Sequence, residues 1–87
     1  MKENDFIIYA SPDVIIDLHN YKNVEEAIMF MDTEIYEAYK YKKEFIKVIH
    51  GIGSGVMKEN VHESLKNNPL ISEFSVDESG GSTMLKL

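Results

Sequence analysis

The chain has 87 residues, 44% apolar and 28% charged, with no cysteine, no arginine and a formal net charge of −6 from 15 acidic residues against nine lysines. That length fills one core, and the lack of cysteine excludes a disulfide framework and any thiolate metal site. The acidic balance argues against the broad basic face that usually supplies non-specific nucleic-acid affinity, and leaves only a local lysine patch for that purpose. The apolar runs fall far short of the ~20 residues that span a bilayer, so no membrane partner is expected. The acidic N-terminus, Met1-Lys2-Glu3-Asn4-Asp5, lacks a secretory leader's positive start, which makes the cytoplasm the expected compartment.

Residues 1–12 read as an arm, with one apolar burst from Phe6 to Tyr9 closed by Ser11-Pro12. Residues 13–87 read as the domain. Val14 to Leu18 is β-branched and nearly continuous, as a strand covered on both faces would be. Asn23 with Glu26 is a capping-box start, and Val24, Ala27, Ile28, Met31, Ile35 and Ala38 recur at helical spacing to about Tyr41. Phe45 to His50 is a second strand. A helix follows from Val56 to about Asn67, with Met57, Val61, Ser64 and Leu65 as its inner face, and Asn68-Pro69 stops it. Leu70 to Asp77 is a third strand, 78–82 a turn, and Thr83 to Leu87 a short final strand. The order β-α-β-α-β-β specifies an α/β two-layer sandwich with two helices on one face of a four-stranded mixed sheet. The other face is left open, and the Phe6–Tyr9 arm is a candidate to cover part of it.

Chemistry concentrates at the ends of the first two strands. Ile49 to Gly55 reads Ile-His-Gly-Ile-Gly-Ser-Gly, where alternate glycines permit positive φ and bare the amides for an anion beside a helix N-terminus. No Lys-Ser or Lys-Thr pair closes it as in a Walker loop, and its third glycine comes too early for a dinucleotide fingerprint. His19 ends the first strand and His50 the second, so parallel pairing brings both to one sheet edge. Asp17 lies two residues before His19, on the same side of an extended chain, where a carboxylate orients an imidazole for proton transfer. The plainer readings are that Asp17 caps loop amides, that His50 buttresses the loop, and that the glycines serve a tight turn alone. Lys40, Lys42, Lys43 and Lys47 cluster, and Lys58 falls in the first turn after the loop. His62 reads as a surface residue. Tyr36, Tyr39 and Tyr41 read as core edge, with base stacking as the alternative.

Asp17-Leu18-His19 resembles the Asp-Leu-His-Gly signature of the small MutS-related (Smr) domain, and His50-Gly51-Ile52-Gly53-Ser54-Gly55 resembles its His-Gly-x-Gly-x-Gly loop. Val24-Glu25-Glu26-Ala27 and Asn68-Pro69-Leu70 are similar to the family's segments at the same places, so the resemblance covers about residues 13–87. Asn20 stands where the family has glycine, and Ile52 where lysine is common. The resemblance implies a β-α-β-α-β-β sandwich similar to the C-terminal domain of a bacterial translation initiation factor. It also implies binding of DNA or RNA and, for several members, endonuclease activity, including work on stalled ribosomes. By position in the motifs, Asp17 and His19 are the implied catalytic pair, and His50, Gly51, Gly53, Ser54, Gly55 and Lys58 the implied phosphate holders. No metal-ligand set is evident and no cofactor is called for, with a divalent ion left open. Two other readings stand beside a nuclease: a non-enzymatic module for a protein partner such as a basic ribosomal protein, and a binder or hydrolase of small phosphates.

Overall fold

The computed structural model describes residues 5–87; Met1 to Asn4, the start of the expected arm, lie outside the described residues. Four strands form one sheet: β1 (Val14–Asp17), β2 (Phe45–Ile49), β3 (Glu73–Val76) and β4 (Ser82–Lys86). Their spatial order is β1-β2-β4-β3, with β1 and β2 parallel and β4 antiparallel to both of its neighbours. The helices are α1 (Val24–Lys40) and α2 (Val56–Lys66). This is the two-layer sandwich expected from the sequence, and the last strand of the chain lies inside the sheet, between β2 and β3.

Alternation along the strands divides the side chains between two faces. Ile16, Ile46, Val48, Thr83, Leu85 and Phe74 face the helices. They meet Ala27, Met31, Ile35 and Ala38 of α1 and Val61 and Leu65 of α2 in one buried core. The register of β1 on β2 is pinned at its start, where Asp13 Oδ2 accepts the amides of Glu44 and Phe45, both at 3.0 Å. On the helix-free face a 3₁₀ turn, Asp5–Tyr9, packs on β3 and β4 and buries Ile7, so the apolar burst of the arm covers that half of the sheet. Among the described residues, none of the 3₁₀ turn's main packing falls on the half formed by β1 and β2, where Ile15 is 60% exposed.

The two helices begin differently. Asn23 caps α1 through its side chain, accepting the Glu26 amide at 3.0 Å, and Glu25 and Glu26 complement the dipole. Gly55 precedes α2 at φ +89 with no side-chain cap of its own, so beyond Val56, whose amide reaches Ser54 Oγ at 3.5 Å, the first-turn amides of α2 are left for another acceptor. The end of α1 also shapes the chain. The amides of Lys42 and Lys43 bond Tyr39 O at 3.1 Å and Ala38 O at 2.9 Å, a Schellman closure that puts Lys42 at φ +60.

Candidate functional site

Because β1 and β2 run parallel, both release their chains at the same sheet edge, as in open α/β sheets whose ligands bind beyond the strand C-termini. His19 and the glycine loop meet there: a Cβ on Gly51 would stand 3.4 Å from the Cβ of His19. His19, His50, residues 51–55, Met57 and Lys58 line one open cleft of about 350 Å³. Every residue predicted for phosphate lines this cleft, and of the predicted pair His19 does so directly. Asp17 stands behind it.

Asp17 and His19 form a short pair, with Nδ1 of the imidazole 2.5 Å from Oδ1. The same oxygen accepts the His19 amide at 3.1 Å. Hydrogen bonds from the His19 ring and then its amide hold the Asp17 carboxyl below its ordinary range, so it is ionised and only accepts. Nδ1 therefore carries a proton, and in the neutral ring Nε2 is the basic atom.

Within the loop, Gly51, Gly53 and Gly55 all have positive φ, at +83, +42 and +89. A side chain is disfavoured at each, and at Gly51 it would also crowd His19. Among the described residues, the amides of Ile52, Gly53, Ser54 and Gly55 have no hydrogen-bond partner, whereas that of Gly51 bonds Gly81 O at 2.9 Å. The Gly51 amide is thus turned into the protein, although Gly51 itself lines the cleft. Ser54 Oγ sits 3.5 Å from the Val56 amide and is exposed. Ile52 is 71% exposed at the rim.

His50 is 4% exposed, and both ring nitrogens are occupied: Nδ1 lies 3.0 Å from Gly51 O and Nε2 2.9 Å from Thr83 Oγ1. A carbonyl only accepts, so Nδ1 is the protonated nitrogen. Burial holds the His50 pKa below its ordinary value, keeping the ring neutral, and Nε2 must then accept the Thr83 hydroxyl proton. Having spent its proton, the Thr83 oxygen accepts from His62 Nε2, also at 2.9 Å. The result is a one-way chain, His62 to Thr83 to His50 to Gly51. It leaves the His50 ring no donor for a phosphate, which corrects that expectation and places the ring as a support under the loop.

Several participants escaped the sequence reading. His62 is half-buried, with its ring edge-on to Phe74 at 5.1 Å, rather than a plain surface residue. The turn 78–82 is the floor of the loop: Gly81 O accepts the amides of both His50 and Gly51. Burial alone would raise the Asp77 pKa, but hydrogen bonds from Ser79 and Ser82 and the charge of Lys47 hold it low and fix this turn. No local motif flags these residues, because β4 reaches β2 only through the tertiary fold. The lysine cluster also divides. Lys40, Lys42 and Lys43 precede β2, roughly 15 Å of strand away from the loop, and only Lys47 and Lys58 line clefts at the site. Tyr36, Tyr39 and Tyr41 are exposed on and after α1 rather than at a core edge.

Among the described residues, no group of three or more His, Asp or Glu side chains is placed to hold a metal ion, and no helix is long and apolar enough to cross a membrane.

The profile of the Smr domain matches residues 16–85, which includes both motifs. Endonuclease MutS2 of Aquifex aeolicus is 41% identical over 63 residues, covering 70% of this chain and 8% of that protein. Ribosome rescue factor SmrB of a Shewanella species is 33% identical over 63 residues, covering 72% of this chain and 35% of that protein. This chain therefore spans less than a tenth of the first relative and about a third of the second. The crystal structure of the Smr domain of Thermus thermophilus MutS2 superposes with a TM-score of 0.75 at 22% identity, over 88% of this chain and 98% of that one. With the fold, the Asp17-Leu18-His19 strand end and the glycine loop all in the matched span, the chain belongs to the Smr domain family.

Proposed function

We propose that this domain binds a nucleic-acid strand with one phosphate in the glycine loop and cleaves it with Asp17 and His19. The observation that carries this reading is the convergence in one cleft of the Asp17-oriented His19 ring, the unpartnered amides of Ile52 to Gly55, and Lys58. The names of the relatives, an endonuclease and a ribosome rescue factor, support the same class of substrate.

The non-bridging oxygens of the phosphate take the loop amides and the positive end of α2, with the Lys58 ammonium beside them. His19 Nε2 takes the proton of the nucleophile, a water or a ribose 2′-hydroxyl, whose oxygen bonds phosphorus as the bond to the leaving oxygen breaks. The Asp17 carboxylate stabilises the imidazolium that forms. The proton then passes from His19 to the leaving oxygen, directly or through solvent. With a net charge of −6 opposing the approach and two lysines at the site, affinity is low. For about two phosphate contacts the log–log salt slope is about −1.4 to −1.8.

The test is incubation of wild type and His19→Ala with supercoiled plasmid and with structured RNA, at low salt, with and without Mg²⁺. Cleavage that disappears in the variant establishes the nuclease, its substrate and its metal requirement. Cleavage that persists in His19→Ala refutes the assignment. The acidic surface favours a second reading, a non-catalytic module for a basic protein partner, and absence of cleavage by the wild type on every substrate selects it.

A further inference from the structure

The groove at this edge does not stop at His19. Beyond it, on the helix-free face, a second cleft of about 520 Å³ is lined by Asp17, Lys47, Ile49, Asp77 and Ser82. His19 and Gly51 line both clefts, so the two form one groove with the Asp17–His19 pair at its crest. The register sets Ile15 opposite Lys47 and Asp17 opposite Ile49, which leaves Lys47 flanked by two branched apolar side chains on the uncovered half of the sheet. The 3₁₀ turn stops short of this half, because its packing is on β3 and β4.

The two ends of the groove differ in chemistry. The loop end offers free amides and Lys58, which suit a phosphate. The sheet end offers Ile49 and one ammonium, with exposed Ile15 beside the cleft opposite Lys47, and its carboxylates are already engaged, Asp17 with His19 and Asp77 with the hydroxyls of Ser79 and Ser82. Such a surface suits a base and a sugar, with a single phosphate at the lysine. A cleavable strand must continue on both sides of the scissile phosphate.

We infer that the sheet-face cleft is the subsite for the nucleotide adjoining the scissile phosphate, with its base and ribose on Ile15 and Ile49 and its next phosphate at Lys47, and that the strand it accepts is single. This rests on the nucleic-acid reading above. A paired base in a duplex is stacked between its neighbours and has no face to lay on the sheet. Asp17 and Asp77 also repel the doubled phosphate density of a duplex more than that of one strand.

The experiment measures binding of a fluorescent single-stranded oligonucleotide by anisotropy across a salt series, for wild type, Gly53→Glu, Lys47→Gln and Ile15→Thr, with a duplex of the same sequence as competitor. Lys47→Gln weakens binding about five- to tenfold and lowers the salt slope by about 0.7, the loss of one phosphate contact. Ile15→Thr weakens binding with the slope unchanged, since it removes a contact and no charge. Unchanged affinity and slope in Lys47→Gln, with binding still lost in Gly53→Glu, overturns the subsite alone. Equal competition by the duplex also overturns it. No binding by the wild type overturns the nucleic-acid reading and the subsite together. Should Lys47→Gln fail to fold, amide shift changes in the titrated wild type decide. Changes at Ile15, Lys47 and Ile49 support the subsite, and changes confined to residues 51–58 overturn it.

Discussion

Thr83→Val tests the hydrogen-bond chain under the loop, because the two side chains have nearly the same shape and differ by the hydroxyl that donates to His50 and accepts from His62. Thr83 is 0% exposed, so water cannot replace what is lost. Two hydrogen bonds at about 1 kcal/mol each disappear, and the penalty for stranding the His50 acceptor and the His62 donor adds about 1–3 kcal/mol. The added methyl returns part of this through apolar burial, about 0.8 kcal/mol. The net expectation is a loss of about 2–4 kcal/mol, which for a domain this small lowers Tm by about 10–25 °C. Thr83→Ser keeps the hydroxyl and loses only a methyl, at about 1 kcal/mol. The assay is urea and thermal unfolding of the three proteins, with imidazole ¹⁵N shifts on the same samples. Those shifts should show His50 protonated on Nδ1 and His62 on Nε2 in the wild type. A Val variant as stable as the Ser variant, or a His50 ring protonated on Nε2, refutes the proton order deduced here.

The folded-state pKa values of His50 and His62 are both lowered, first by burial and then by neighbouring charge, Lys58 for His50 and the His50 ring, Lys58 and Lys66 for His62. The unfolded chain therefore binds more protons, so their contribution is complete above the ordinary histidine pKa of about 6.5 and is lost as pH falls from there toward the lowered values. Unfolding midpoints should drop over that window, and drop less in His62→Gln. Lys42→Gly should stabilise the domain by about 0.5–1 kcal/mol in urea unfolding, because glycine carries no Cβ penalty at φ +60 in the α1 Schellman closure. On the proposed mechanism, Asp17→Asn should lower single-turnover cleavage by about 10²–10⁴-fold while binding is kept, since the amide no longer enforces a protonated Nδ1 on His19. An equal loss of binding would show Asp17 to be structural.

What the sequence determined by itself is local. The alternation and length of the apolar runs specified four strands and two helices, because burial of a β-branched run or a helical stripe is written in the spacing of the residues that bury it. Asn23 and Pro69 marked helix limits through capping and a missing amide. Strand–helix–strand chirality put His19 and the glycine loop at one edge. Asp17 and His19 were legible as a pair from their two-residue spacing, but they meet where β1 ends at Asp17 and a turn begins, the Asp17 carboxylate taking the His19 amide as well as its ring, rather than on one extended strand.

Only the tertiary structure decided which polar groups face the cleft and which are consumed inside. β4, at the chain end, inserts between β2 and β3, and that long-range pairing sets Thr83 opposite Val48 and brings Gly81 under the loop. His50 thereby passes from phosphate donor to buried support, and His62 from surface residue to the start of the chain that orients it. Lys40, Lys42 and Lys43 lie before β2, at the end of the sheet away from the loop, and alternation along β2 leaves Lys47 on the open face. A histidine's role depends on what each ring nitrogen meets, and those partners stand 21 and 33 residues away in sequence, beyond the reach of any local spacing rule.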